Sequence, residues 1–449
     1  MNGAPAFTSA NAVSVIENAA DFVYQAVATD SEGSPIAYSI SGGADADKFT
    51  LNGTGQLRLV TSPNFDLPTD ADGDNAYLVQ LSASDGLASG TIALRVTVTN
   101  SKEGIAVHRI ATGFDHPVAI APLSATRMLI VERSGAIYDL NPQTGERKLF
   151  YQVAHVGSGD RGVIAFVVSR NFETGGAFYV MFTSTLGGMV VQRYFGPAAG
   201  PPTPDAYGLV MGSSAPQYRG GGWLGYDGVN LIIATGDAGG SDDQASSAQD
   251  PSSKLGKILR ETDNPFPFAS GSPNFFLITT IATGLRNPNG ASLYGGGLLL
   301  ADSGQDIAEE VDFLPFGAAT ANFGWPFKEG TKTVRGTPPA NVTDPVIEYP
   351  HTGGTRTGQA IVGGFVGSSA VATLSGYYVF ADRNGSIFTI PAAPLRGAGT
   401  VAGALLERRT QDFVPDQGTI DRPASFGVDG DGRGYIVDDD GEIFRVDQG

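Results

Sequence analysis

The sequence predicts an all-β protein in two parts, a β-sandwich over residues 1–103 and a six-bladed β-propeller over residues 104–449. Three observations carry that expectation. At 449 residues the chain is too long for one small domain and leaves room for a small module beside a large one. Residues 1–103 hold short strands with period-two alternation, separated by Gly, Asp, Asn and Pro clusters, and no helical stripe. Their last strand, Ile92 to Thr99, runs into the linker Asn100-Ser101-Lys102-Glu103-Gly104. From residue 104 one pattern then recurs: an apolar strand, an acidic or polar turn with glycine, and a second strand.

Six copies of that pattern are legible. They are RMLIVERSGAIYDL (127–140), FYVMFTSTLGGMVVQRY (178–194), NLIIATGDAGG with LGKILR (230–260), LLLADSGQDIAEEVDFL (298–314), YYVFADRNGSIFTI (377–390) and GYIVDDDGEIFRV (434–446). The stretch after residue 103 allows about 58 residues to each, which suits a four-stranded blade with loop insertions. An open sheet of so many strands would leave adhesive edges, whereas radial closure removes most of them.

Composition narrows the function. With no cysteine the chain has no disulfide, thiolate metal site or cysteine nucleophile. Its net charge of −18, from 46 acidic and 28 basic side chains, argues against nucleic acid or an anionic membrane as partner. No apolar run approaches the roughly 20 residues that span a bilayer. Met1-Asn2-Gly3-Ala4-Pro5 lacks a charged and then apolar leader. This fits a cytoplasmic start or a mature form freed of its export signal, and the second is expected here.

In the first part the acidic residues are grouped: Glu17, Asp30 with Glu32, Asp66, the run Asp70-Ala71-Asp72-Gly73-Asp74, and Asp85. Crowded carboxylates repel one another unless a hard cation takes them as ligands, and Ca²⁺ accepts six to eight oxygens. The segments VIENAADFVYQAVATDSEG, YSISGGADADKFTLNGTGQLRLV, PNFDLPTDADGDNAY and LSASDG followed by RVTVTN resemble a bacterial cadherin-like repeat from end to end. The resemblance implies Ca²⁺ held by Glu17, Asp66, Asp70, Asp72 and Asp85, a secreted, periplasmic or cell-surface location, and association with the cell surface through this module. The linker departs from that family's Asp-x-Asn-Glu pattern by lacking its first carboxylate.

In the second part Arg219, Arg286 with Asn287, Arg383 and Arg422 stand in loops flanking the repeated strands. Guanidinium groups gathered in a protein of this negative charge imply an anionic ligand, and they suit carboxylates because they bind them bidentately. GFDHPVAIAPLSATRMLIVERSG, GSGDRGVIAFVVSRNF, GDAGGSDDQASSAQDPSSKLGKILR, GLRNPNGASLYGGGLLLADSGQDIAEEVDFLPFG, ANFGWPFKEG, PHTGGTRTGQAIVGGFV and GYYVFADRNGSIF resemble the glucose/sorbosone dehydrogenase family of soluble PQQ-dependent sugar dehydrogenases, almost continuously from residue 106 to 446. The resemblance implies PQQ, an o-quinone with three carboxylates, lined by Arg286 and Asn287. Arg383 stands where the family has a lysine, and Arg422 matches one of two C-terminal arginines, the other being replaced by Ile420. Backbone carbonyls of Gly304 and Gln305 would hold the Ca²⁺ that polarises the quinone. Asp302, Glu309 and Glu310, in the same repeat, have the alternative role of tying the blade together.

One departure bears on chemistry. Tyr218-Arg219-Gly220-Gly221-Gly222 stands where the family carries His-Asn-Gly-Gly, whose histidine takes the proton from the sugar's anomeric hydroxyl. Arginine has no lone pair to offer and cannot be that base. Asp160, His155 and His351 are the candidate substitutes; His108 and His116, on a strand and in a first-blade turn, are given no role. Three readings follow, all with a carbohydrate as partner. The first is an exported PQQ- and Ca²⁺-dependent sugar dehydrogenase with an altered base. The second is a lyase or hydrolase of uronate polysaccharides, with Arg219 neutralising the sugar carboxylate and Tyr218 moving a proton with His351 or His155, or with Asp160 in a carboxylate pair. The third is a non-catalytic adhesion or glycan-binding protein.

Overall fold

The structure is a computed structural model. It describes residues 2–158, 161–174, 176–195, 201–211, 221–227, 229–238, 241–243, 246–261, 278–353, 356–397, 399–400 and 405–449, without the side chains of 205–207. It divides into two compact units, Met1–Glu103 and Gly104–Gly449.

In the first unit Ser89–Thr99 is central to a four-stranded sheet, flanked by Ala12–Ile16 in parallel and by Ala76–Ser84 in antiparallel register, with Ala37–Gly42 beyond. Alternation along it is clean, with Leu94, Val96 and Val98 buried between more exposed neighbours. Those side chains share one core with Leu57 and Phe49 of a three-stranded sheet, Tyr24–Gln25, Gln56–Leu59 and Phe49–Leu51. The strand pair Ala6–Phe7 and Ala28–Thr29 completes the sheet structure described.

The second unit is built from sheets of four antiparallel strands laid down in chain order. The first is Pro117–Ser124, Arg127–Glu132, Ala136–Leu140 and Arg147–Gln152, and the second is Val163–Val168, Ala177–Thr183, Met189–Phe195 and Thr203–Met211. The third is Gly222–Tyr226, Leu231–Thr235, Lys257–Glu261 and Ile278–Thr283, with Ala321–Asn322 added in parallel at its edge. The fourth is Pro288–Tyr294, Gly297–Asp302, Ala308–Pro315 and Ile347–Pro350, and the fifth is Ile361–Val366, Tyr377–Asp382, Ile387–Pro391 and Glu407–Arg408. The sixth takes Pro423–Val428, Gly434–Asp438 and Ile443–Gln448 from the end of the chain, and its outer strand, Ile105–Ala111, from the start of the unit.

The second strands are apolar without interruption because both of their faces are covered. Leu129 and Val131 enter a core shared with the second sheet, whereas Met128 and Ile130 enter one shared with the sixth. Leu299 and Ala301 likewise face the fifth sheet while Leu298 and Leu300 face the third. Each sheet thus shares a core with its successor, and the last shares one with the first. First strands from all these sheets line one cavity of about 540 Å³, contributing among others Ile120, Phe166, Trp223, Ala291, Val366 and Phe426. Two of these strands approach so closely at Gly290 and Gly363 that a Cβ on Gly363 would fall 2.5 Å from the Gly290 backbone.

Candidate active site

One device recurs at one end of the sheets. In four of them an acidic residue ends the second strand: Glu132, Asp302, Asp382 and Asp438, all buried. Each carboxylate accepts backbone N–H groups from the loop leading into the first strand of its own sheet, a charge-assisted bond stronger than a neutral one. Glu132 accepts from Asp115 at 2.8 Å, Asp302 from Arg286 at 2.9 Å and Asn287 at 2.5 Å, Asp382 from Gln359 at 2.9 Å, and Asp438 from Asp421 and Arg422 at 3.0 Å each. Burial pushes the Asp438 carboxyl up to about 6 and the Asp302 carboxyl up to about 7. The acids therefore fix the loops that carry the candidate site.

The residue that follows each acid is Arg133, Ser303, Arg383 or Asp439. Arg133, Arg383 and Asp439 line a cavity of about 350 Å³ together with His116, Asn287 and Asn289, bounded by Gly221 and Gly222. Asp439 is its hub. Its Oδ1 lies 2.6 Å from Arg133 Nη2, and its Oδ2 lies 3.3 Å from His116 Nδ1 and 3.6 Å from Arg383 Nη2. Among the described residues, two guanidiniums against one carboxylate leave the lining net positive before any charge on His116, and the two asparagines add neutral donors and acceptors. Such a cavity suits a planar anion with carbonyl groups.

The other expected residues are distributed differently. Arg286 stands beside Asn287, but its Nη1 donates to the carbonyls of Ser303 at 2.8 Å and Gly304 at 2.6 Å, and its guanidinium lies 5.5 Å from the Trp325 ring centroid. Its Nε is buried without a hydrogen-bond partner. The Gly304 carbonyl assigned to Ca²⁺ by resemblance thus already faces a cation. The Gln305 side chain bonds Asp242 and Asp306. Arg422 is half exposed and 3.8 Å from Asp421. His351 is outside the cavity lining, its Nε2 2.7 Å from the buried Glu309 carboxylate, and the hydrogen bond to Glu309 raises its pKa. His155 lines a separate, largely apolar cavity with Tyr151, Phe182 and Tyr194. Asp160, Tyr218 and Arg219 lie outside the described residues.

Sequence reasoning passed over His116, Arg133, Asn289 and Asp439. A signal for two of them was present, because Arg133 and Asp439 occupy the same place in their repeats as Arg383.

Acidic side chains also cluster elsewhere in both units. In the fourth sheet carboxylate oxygens of Asp302, Glu310 and Asp312 lie within 4.8 Å of one another, all buried. Neither oxygen of Asp312 has a hydrogen-bond partner, and burial and then the neighbouring carboxylates hold Glu310 and Asp312 well above the usual carboxylate range. In the first unit a Glu17 oxygen lies within 4.8 Å of one of Asp66, and Asp70, Asp72 and Asp74 form another such group. The hydrogen bond with Asp70, followed by the charge of Asp74, raises the pKa of Asp72. Glu17 accepts the N–H groups of Phe65 and Ser101, while Asp85 stands apart and closes its own turn by accepting from Leu87 and Ala88.

Fold and site together define an all-β protein of propeller type with an arginine-lined cavity bounded by loops from several sheets. The chain belongs to the glucose/sorbosone dehydrogenase family, whose model matches residues 114–364, more than half of it. It is 32% identical over 208 residues to the HIPL2 protein of Arabidopsis thaliana, an alignment covering 39% of this chain and 29% of that relative. The chain therefore spans less than a third of that protein. Among solved structures it resembles the soluble aldose sugar dehydrogenase of Escherichia coli in its apo form, at TM-score 0.56, 20% identity, 77% of this chain and all of that one. It also resembles the PQQ domain of pyranose dehydrogenase from Coprinopsis cinerea, at TM-score 0.51, 16% identity, 77% of this chain and 95% of that one. At these identities the structural likeness concerns the fold. No helix among the described residues is long and apolar enough to cross a membrane.

Proposed function

We propose that residues 104–449 form a six-bladed β-propeller that binds PQQ at the cavity around Asp439 and oxidises an aldose sugar with it. The carrying observation is the convergence of Arg133, Arg383, Asn287 and Asn289 on one net-positive cavity in a chain of this family. The chemistry of this donor set fits a quinone tricarboxylate. Arg383 and Arg133 would take carboxylates, and Asn287 and Asn289 would take ring carbonyl and nitrogen positions. When bound, PQQ supplies an electrophilic quinone that accepts a hydride. The chain's own contribution would be to hold the cofactor through these side chains and to offset its charge with arginine. Ca²⁺ at the Gly304-Gln305 turn fits less well, because the Gly304 carbonyl already accepts Arg286 Nη1, so no step is assigned to a metal there.

In the first unit the same reading gives a cadherin-like β-sandwich that takes Ca²⁺ through Glu17 and Asp66 and through Asp70, Asp72 and Asp74. Asn75 Oδ1 and Asn100 Oδ1, both buried without a hydrogen-bond partner, are further oxygens of the kind Ca²⁺ uses. The setting is extracellular or periplasmic, with cell-surface association through this module. Gel filtration of the protein with excess PQQ and Ca²⁺ tests the catalytic reading. Quinone absorbance should travel with the protein, and aldoses should then reduce an electron-accepting dye. A protein that carries no quinone at saturating PQQ overturns it and leaves a glycan-binding propeller.

A further inference from the structure

We propose that His116 is the proton acceptor for a sugar hydroxyl in this cavity, oriented by Asp439. The inference rests on the reading above, since it deepens the same site. The sequence holds four histidines. His351 is bound to Glu309, His108 is 3.0 Å from Asp416 on the strand Ile105–Ala111, and His155 lines another cavity. His116 alone among them lines the cavity that holds Arg133, Arg383 and Asp439.

Its geometry is that of an oriented base. Nδ1 faces the Asp439 carboxylate at 3.3 Å, which favours the tautomer protonated on Nδ1 and leaves the Nε2 lone pair free. The side chain is about half exposed, so a substrate can reach it, whereas Asp439 is 8% exposed. The backbone of His116 sits at φ +47°, a conformation rarely adopted by residues other than glycine, and is held there by the Arg133 N–H on its carbonyl at 3.0 Å. Strain retained at a residue that faces a cavity points to use of that residue. Among the described residues the charged groups around the imidazole are Asp439, Arg133 and Arg383, with Asp115 and Glu132 tied to each other through the loop behind it.

The step balances. The anomeric O–H gives its proton to His116 Nε2 as the C1–H bond breaks and its hydrogen and electron pair pass as hydride to the quinone. The sugar is oxidised to a lactone, and the quinone is reduced to the quinol once the imidazolium returns the proton.

The test uses the full chain with PQQ and Ca²⁺, the variants His116→Gln and Asp439→Asn, and a panel of aldoses. His116→Gln should bind PQQ within about threefold of wild type yet lose about 10²–10⁴-fold in sugar-dependent reduction, the range of a general base. The acid limb of the wild-type pH–rate profile should vanish in His116→Gln. Independently of turnover, nuclear magnetic resonance should show signals from the four imidazoles. His116→Gln should remove one of them, and Asp439→Asn should perturb that same one. If wild type turns over and His116→Gln matches it, or if Asp439→Asn moves no imidazole, the assignment falls and the dehydrogenase reading stands. If no aldose reduces bound quinone in wild type, both fall together.

Discussion

The buried trio Asp302, Glu310 and Asp312 offers a measurement that reads the interior of the fourth sheet directly. Asp302 is pushed up to about 7 from an ordinary 3.8, mainly by burial. At about 1.4 kcal/mol per pK unit, that shift is worth about 4 kcal/mol. Because the folded form holds the proton more tightly than the unfolded chain, the stabilisation is complete below about pH 4 and is lost as pH rises through 7. Asp312 makes no hydrogen bond, so Asp312→Asn removes a charge without removing a partner. Burial and the neighbouring carboxylates raise Asp312, so the variant should match wild type near pH 4 and be more stable at pH 8, by about 1.4 kcal/mol for each pK unit by which Asp312 is raised. Urea unfolding followed by tryptophan fluorescence in EDTA measures it, and Trp223 and Trp325, the only tryptophans, both report on residues 104–449. An Asp312→Asn protein less stable than wild type at pH 8 in EDTA would refute the proton-based account. A large Ca²⁺-induced gain in wild type that the variant lacks would show instead that a cation neutralises the trio.

Three further outcomes follow from features already described. Gly363→Ala should destabilise the propeller-type unit by about 1–3 kcal/mol, since its Cβ would strike the Gly290 backbone; thermal unfolding checks this. The hydrogen bond to Glu309 raises His351, so its contribution is fully present below pH 6.5 and lost as pH rises through the raised value. Glu309→Gln should flatten that part of the stability–pH curve, and the His351 resonance should titrate lower. Val107→Ala in the strand that completes the sixth sheet, where Val107 pairs with the buried Val446, should cost about 1–3 kcal/mol by denaturant titration.

Legibility in the sequence followed burial. The six strand pairs read from the chain are the second and third strands of their sheets, where cores on both faces force runs such as Leu298-Leu299-Leu300. Outer strands such as Arg147–Gln152 are largely exposed, and Glu407–Arg408 is two residues long, so neither leaves a readable pattern. Arg383 was found because arginine in a glycine turn is conspicuous. Asp439 was not, because an aspartate in Asp438-Asp439-Asp440-Gly441 looks like a solvated turn until Arg133 is seen 2.6 Å away. His116 carried no signal at all: its importance depends on Asp439, which joins it only when the sixth and first sheets meet. Asp302, by contrast, serves in the tying role its repeat suggested, through the N–H groups of Arg286 and Asn287.

The register of the sixth sheet sets Ile105 opposite Gln448, so the two extremities of residues 104–449 lie side by side. A nascent chain therefore carries an unmatched strand edge until Ile443–Gln448 has been made, and loss of either strand leaves that edge open to pair with another molecule. A short peptide bridging Gln448 to Ile105, with new termini cut into an exposed turn of another sheet, should preserve every ladder in the unit.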